Sequence, residues 1–258
     1  MITCINDYIS VIQEINKVED SRKFLFYRGV SDEEYPLLPR VFRESKFNEK
    51  EVLLDYKQYL PQTNSNYDYI RDRLKVLADM QHHGIPTRLM DWTTSPLVAL
   101  FFACNEHISK NGKVYILNPW KLWKRIVGKP SSPDIHQIQI YSRALLADRD
   151  FASVRSIILQ DFAFSIEEEM ISLPFPFVSS LCNDRILSQK GCFTIHGSKK
   201  LPLNVLEEKE IQSIIIQNDH KNNILDDLRL FGVDDYSIFP DYFGMKSSFD
   251  RKGSLFNL

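Results

Sequence analysis

The sequence lacks most of the features that would settle a function at sight. Its nine glycines never fall into a GxxxxGK[ST] phosphate loop or a GxGxxG fingerprint. HExxH and GxSxG are missing as well, which removes two common hydrolase readings. The four cysteines, Cys4, Cys104, Cys182 and Cys192, form no CxxC pair and no zinc spacing, so no metal site is expected. Charge of one sign is also lacking. Lys+Arg number 32 against 34 Asp+Glu, so no global field draws the chain to nucleic acid or an acidic membrane, although a local basic groove is compatible with that balance. No apolar run is long enough for a membrane span, and the longest, Pro96 to Cys104, is too short. The opening MITCINDYISVIQEIN is polar and acidic where a signal peptide would be basic and then apolar. The expected location is therefore cytoplasmic, with reduced thiols.

What is present is a chain of 258 residues, ample for a real core. No internal repeat or low-complexity linker divides it, and one α+β domain with a helical N-terminal portion is the simplest reading. Ile5, Tyr8, Ile9, Ile12 and Ile15 have helical spacing. Phe24 to Tyr27 reads as a strand that ends in a turn at Arg28-Gly29. Pro36, Pro39 and the charges up to Glu51 suggest an irregular connection leading into a helix. Asn66 to His82 reads as a helix with Tyr69, Ile70, Leu74, Leu77 and Ala78 on one stripe. Strands are expected at 113–117, 157–164, 170–177, before His196, and at 211–216. Asp219 is expected to cap a last helix that buries Ile224, Leu225, Leu228 and Leu230. The aromatics of 238–244 would dock, and 245–258 would be loose.

The most informative stretch is Gln81 to Cys104, QHHGIPTRLMDWTTSPLVALFFAC. Its second half is apolar on every side, as a helix in a core must be. Ser95 can cap that helix, and Pro96 suits its first position. Arg88, Asp91, Trp92, Thr93, Thr94 and Ser95 thus lie just before a helix N-terminus, where free N–H groups and the helix dipole favour an anion. The plainer reading pairs Arg88 with Asp91 and lets the threonines cap.

Three polar sites stand at the edges of apolar elements: Arg28, the Arg88 to Ser95 segment, and Arg185 with Gln189 and Gly191. Arginine at a strand end can grip phosphate bidentately. Gln189 can bind a ribose hydroxyl pair, and Tyr27 and Trp92 offer faces to a stacked ring. Equally, Arg28 can pair with Asp32 or Glu33, Trp92 can fill the core, and Gln189 can satisfy a turn. His82 and His83 project about 100 degrees apart on a regular helix, so they cannot share a metal, and one of them suits the helix C-terminus. His196 and His220 read as structural. Trp120 and Trp123 among Lys121, Lys124, Arg125 and Lys129 make one basic aromatic patch, either a platform for stacked single strands or the solvated face of a helix.

Phe26-Tyr27-Arg28-Gly29 resembles the Phe-Arg-Gly signature of the FRG domain family. The segment QHHGIPTRLMDWTTSPLVALFFA resembles that family's central block. Arg185-xxx-Gln189-x-Gly191-x-Phe193 resembles its third block, and Leu228-Arg229-x-Phe231-Gly232 with Ile238-Phe239-Pro240-Asp241 resembles its last. The chain is therefore identified as one FRG-like domain over 1–258, with a core of about 20–244.

That family is distantly similar to ADP-ribosyltransferases, whose core is a split β-sheet around an NAD cleft. The resemblance implies an ADP-ribosyltransferase-like split β-core and NAD as substrate. Arg28 would hold the pyrophosphate or the adenosine side, assisted by Arg88. Thr93, Thr94 and Ser95 would set the nicotinamide ribose, and Tyr27 or Trp92 would stack on the nicotinamide. Gln189 stands where those enzymes carry a glutamate, so either Asp91 supplies the acid, or glutamine suffices, or the domain binds without turnover. The implied activity is mono-ADP-ribosylation of a macromolecule, RNA or other nucleic acid before protein. Its setting would be a bacterial toxin or antiphage effector held by an antitoxin protein. The alternative is a non-catalytic nucleotide- or nucleic-acid-binding module.

Overall fold

The computed structural model describes residues 2–19, 24–59, 73–127, 174–178, 184–197, 200–206 and 210–252. The strand expected at 157–164 and Cys182 lie outside them. Helix α1 (Ile5–Val18) buries Ile5, Tyr8 and Ile12 along one face, as their spacing requires. Strand β1 (Phe26–Val30) follows. Two helices, α2 (Arg40–Arg43) and α3 (Glu49–Tyr59), occupy the connection that the prolines mark. Next come α4 (Arg73–His82), β2 (Leu89–Thr93), α5 (Pro96–Cys104) and β3 (Gly112–Leu117). The chain continues with α6 (Pro119–Val127), β4 (Phe175–Phe177), α7 (Asp184–Ser188) and β5 (Gly191–Ile195). Helix α8 (Leu203–Leu206), β6 (Ile211–Ile216), a 3-10 turn (Asn218–His220), α9 (Lys221–Leu230), α10 (Asp235–Ile238) and α11 (Tyr242–Lys252) complete it.

The strands form one six-stranded antiparallel sheet in the order β4-β5-β2-β1-β3-β6, so the class is mixed α and β. Pairing along it is uneven. β1 matches β3 at five positions and β2 matches β5 at five, but β1 and β2 meet at Tyr27↔Thr93 alone. A seam thus divides the sheet between β1 and β2. Both faces are covered. Phe26, Val30 and Trp92 join a core beneath α4 and α6, while Tyr27, Val114 and Ile116 join one formed by α1, α5 and α9.

The buried helix lies where its composition sends it, with Ala99, Leu100, Phe101, Ala103 and Cys104 at 1% exposure or less. It crosses β1 and β3 so closely that only glycine fits beneath it. A Cβ on Gly29 would stand 1.9 Å from the Ala99 carbonyl oxygen, and one on Gly112 would stand 2.2 Å from that of Ala103. At the far end of the sheet, Lys221 is buried, and its Nζ donates to the carbonyl oxygens of Ser31, Glu106 and His107 at 2.7–3.2 Å. Burial draws its pKa below the usual lysine range.

Several expectations are corrected. Arg28 and Gly29 belong to β1 and not to a turn after it, because β3 pairs with all five β1 residues. Ser95 is the extended residue before α5, but its side chain makes no cap, and its N–H donates instead to Thr93 Oγ1 at 2.9 Å. Asp219 lies in the 3-10 turn, and α9 begins after it without a side-chain cap. Leu230 is 85% exposed, because α9 reaches its last turn clear of the core. Residues 242–252 are helical, not loose. α11 is fixed by the Gly244 N–H donating to Asp241 Oδ1 at 3.0 Å and by Arg251 beside Asp235 at 3.2 Å, neither of which shows as apolar periodicity.

Gly29→Ala is expected to lower stability by about 3 kcal/mol or more, because the clash is with main chain and no rotamer relieves it. Urea unfolding of the two proteins measures the difference, and an unchanged midpoint would refute the close approach.

Candidate functional site

The seam opens into a cleft of about 330 Å³, within the size range of small-molecule sites. Helix α4 supplies Gln81 and His82 from one face of the sheet, and Phe102 of α5 and Phe239 come from the other. Arg28, Asp91 and Thr93 line the seam itself, and Arg185 and Gln189 close it from the turn before β5.

Each polar group is held by a specific partner. Arg28 Nη1 donates to the main-chain carbonyl oxygen of Asp91 at 2.6 Å, spanning the gap where ladder bonds between β1 and β2 are missing. Burial of the guanidinium draws its pKa below the usual arginine range, with Asp91 opposing and Arg43 assisting. The side chain stays charged all the same. The carboxylate Oδ2 of Asp91 accepts from Gln81 Nε2 at 2.8 Å. Gln81 cannot turn its amide over, because Thr87 Oγ1 donates to its Oε1 at 2.7 Å. Among the described residues that line the cleft, Asp91 is the sole carboxylate. Arg185 Nη1 donates to the His82 carbonyl oxygen at 3.2 Å, and its guanidinium lies over the Phe239 ring at 4.7 Å. Arg185 therefore does at the end of α4 what was expected of a histidine. The His82 imidazole lines the cleft, its pKa lowered first by burial and then by His83 and Arg185.

Of the residues singled out in the sequence, the structure brings Tyr27, Arg28, Asp91, Trp92, Thr93, Arg185, Gln189 and Gly191 to one cleft. Thr93 Oγ1 donates to the Gln189 carbonyl oxygen at 2.7 Å, tying β2 to the turn. Arg88 is not there. Glu49 holds it through Nε at 2.6 Å and again through Nη2, so its partner is Glu49 and not Asp91. Thr94 and Ser95 do not line the cleft, and the Thr94 N–H donates to the Lys190 carbonyl oxygen at 3.1 Å. The α5 N-terminus, read as an anion site, is thus not the cleft.

The two proposed stacking rings also line the cleft, but little of either is exposed. Trp92 is 3% exposed, with its indole N–H on Thr194 Oγ1 at 3.0 Å. Tyr27 is equally buried, its hydroxyl accepting from Asn16 Nδ2 at 3.3 Å. Phe193 lines the cleft as well, and Phe102 and Phe239 add half-buried rings whose centroids lie 5.9 Å apart at 84°. Phe102 was hidden in the sequence by its place in an apolar helix, and Phe239 by its place in a docked tail. Of the basic aromatic patch, Trp123 is in the core and Lys121 pairs with Glu19 at 2.9 Å, while Lys124 is exposed and Lys129 lies outside the described residues.

Fold and cleft define an α+β protein whose pocket lies at a divided antiparallel sheet, with two arginines and one carboxylate in its walls. Residues 23–112 match the family model of the FRG domain, and the chain carries an FRG domain over that stretch. No curated protein and no solved structure matches the chain. The matched stretch contains Arg28 and Asp91, whereas Arg185, Gln189 and Phe239 lie beyond it.

His196, at the end of β5, is fully buried, and its Nε2 lies 3.2 Å from Thr194 Oγ1. Burial first, then the charges of Arg28 and Arg88, lower its pKa from 6.5 to about 3. The folded protein keeps it neutral while the unfolded chain protonates it, so its contribution to stability is full above pH 6.5 and is lost as pH falls toward 3. Between pH 6 and 4 it is expected to add a slope of about 1.4 kcal/mol per pH unit. Urea titrations of wild type and His196→Gln across that range check this, and parallel pH profiles would refute it.

Proposed function

We propose that the chain is an NAD-dependent mono-ADP-ribosyltransferase acting in the cleft at the β1–β2 seam. The observation that carries this is the convergence of Arg28 from β1, an oriented Asp91 from β2 and the Gln189 turn before β5 on one pocket in a divided sheet. Support comes from the FRG match, which spans Arg28 and Asp91, and from the resemblance of that family to enzymes with a split β-core. In the reaction the bond between nicotinamide nitrogen and ribose C1′ breaks, and both its electrons leave with nicotinamide. An acceptor nucleophile then bonds to C1′ and gives up its proton. Positive charge grows on the ribose as the bond breaks, and a fixed carboxylate stabilises it best. Asp91 is that carboxylate, aimed by the Gln81 amide. Arg28 and Arg185 supply the cations that a diphosphate needs. The aromatic walls for the leaving ring are Phe102 and Phe239.

The acceptor is a macromolecule, with nucleic acid our first choice. In a toxin or antiphage setting an antitoxin protein would hold the activity in check. Nicotinamide release from NAD is measured with RNA, DNA or protein extract added in turn. Release is expected with one fraction only, and Asp91→Asn, which still accepts from Gln81, is expected to reduce it roughly 100-fold or more. No release from folded protein in any mixture would sink the transferase and leave a nucleotide-binding module.

A further inference from the structure

Gln189 occupies the place where the resemblance expects a glutamate, and its amide does something no carboxylate can. Its Nε2 donates to the main-chain carbonyl oxygen of Ile238 at 3.2 Å, and Ser188 Oγ approaches the same oxygen at 3.0 Å. Ile238 ends α10 and is 1% exposed, so that carbonyl belongs to a fixed core position. The next residue is Phe239, the wall of the cleft on which the Arg185 guanidinium lies. One carbonyl gripped from the turn before β5 therefore sets the ring that backs one of the two cleft arginines. A carboxylate at 189 would present only acceptor oxygens to a carbonyl oxygen, and the two would repel.

We infer that Gln189 is a positioning residue, an amide latch that ties Ile238–Phe239 to the turn 185–189 and so fixes Arg185 toward the diphosphate of a nucleoside-diphosphate substrate. What the latch serves rests on the transferase reading, whereas the latch itself does not. Under this assignment the departure from glutamate installs a donor, and the carboxylate's work falls to Asp91 on the neighbouring strand. The charged or titratable groups lining the same cleft are Tyr27, Arg28, His82, Asp91, Arg185 and Cys192, and comparison with wild type at each pH removes their contribution.

The test is amide hydrogen exchange of the full chain over residues 235–245, without nucleotide, for wild type, Gln189→Glu, Gln189→Ala and Ser188→Ala. Loss of the latch is expected to speed exchange there about tenfold in both Gln189 variants and less in Ser188→Ala. For Gln189→Glu alone the excess is expected to vanish as pH falls through about 4.3, because a protonated carboxyl regains an O–H donor. A role through side-chain size would show no such recovery. In nicotinamide release, both Gln189 variants are expected to raise KM for NAD more than they lower kcat. Wild-type exchange in Gln189→Glu, or faster turnover by Gln189→Glu than by wild type, would overturn the latch and restore position 189 as a catalytic acid site. If no variant and no wild type releases nicotinamide, the transferase reading fails, while the exchange rates still decide the latch.

Discussion

The rest of the molecule depends on the failure of β1 and β2 to pair. A sheet interior with missing ladder bonds exposes main-chain groups that must find partners or water. Here the strands part after Tyr27↔Thr93, and the Arg28 side chain takes up the freed Asp91 carbonyl. The same substitution of side chain for ladder does two things. It keeps the gap from closing, since the guanidinium fills the space a partner strand would need. It also brings a permanent cation to the floor of a cleft that both faces of the sheet line. The cleft is therefore not an addition to the fold but the place where the fold's own hydrogen bonding is interrupted.

An interrupted sheet needs rigid support from outside, and α5 provides it. Gly29 and Gly112 let this apolar helix rest directly on β1 and β3, so the half of the sheet beyond the seam moves with the helix. On the other half, Trp92, Thr194 and His196 form a buried hydrogen-bonded row across β2 and β5. Each half is thus stiffened separately, which leaves the gap between them with a defined width. Glu49 extends the same logic by seizing Arg88, which keeps a third guanidinium out of a site that already holds two.

How far the sequence could be read follows from the kind of signal each feature leaves. Helix α5, the strand at 211–216 and helix α9 have dense apolar or β-branched patterns, and those patterns are local. Arg28, Asp91 and Gln189 were legible as candidates because each is a polar residue beside an apolar run, although Arg28 and Asp91 prove to be the middle residues of β1 and β2. Their partners were not. Whether Arg88 turns to Asp91 or to Glu49 depends on where α3 packs, 39 residues away in sequence, and no spacing rule reports that. Trp92 and Tyr27 were read as ring platforms on residue type; both border the cleft, but strand alternation and two-sided coverage also pack both into the core. Phe102 and Phe239 fall within family-like blocks but carry no local mark of a cavity wall, because an aromatic that lines a cavity and one that fills a core have the same sequence signature.

The distribution of the site along the chain also limits what the FRG segment can do by itself. Residues 23–112 contain β1 and β2 but stop at the first residue of β3. Those two strands meet at one position, so they cannot hold each other as a sheet. β1 depends on β3, and β2 depends on β5, for nearly every main-chain bond they make across the sheet. The matched segment thus supplies Arg28, Asp91 and the helix behind them, and the following half supplies the strands that hold them apart. It also supplies Arg185, Gln189 and Phe239. The chemistry of the cleft is consequently a property of the pairing between the two parts, and a change in β5 or in the 185–189 turn reaches the site as directly as a change in Phe-Tyr-Arg-Gly itself.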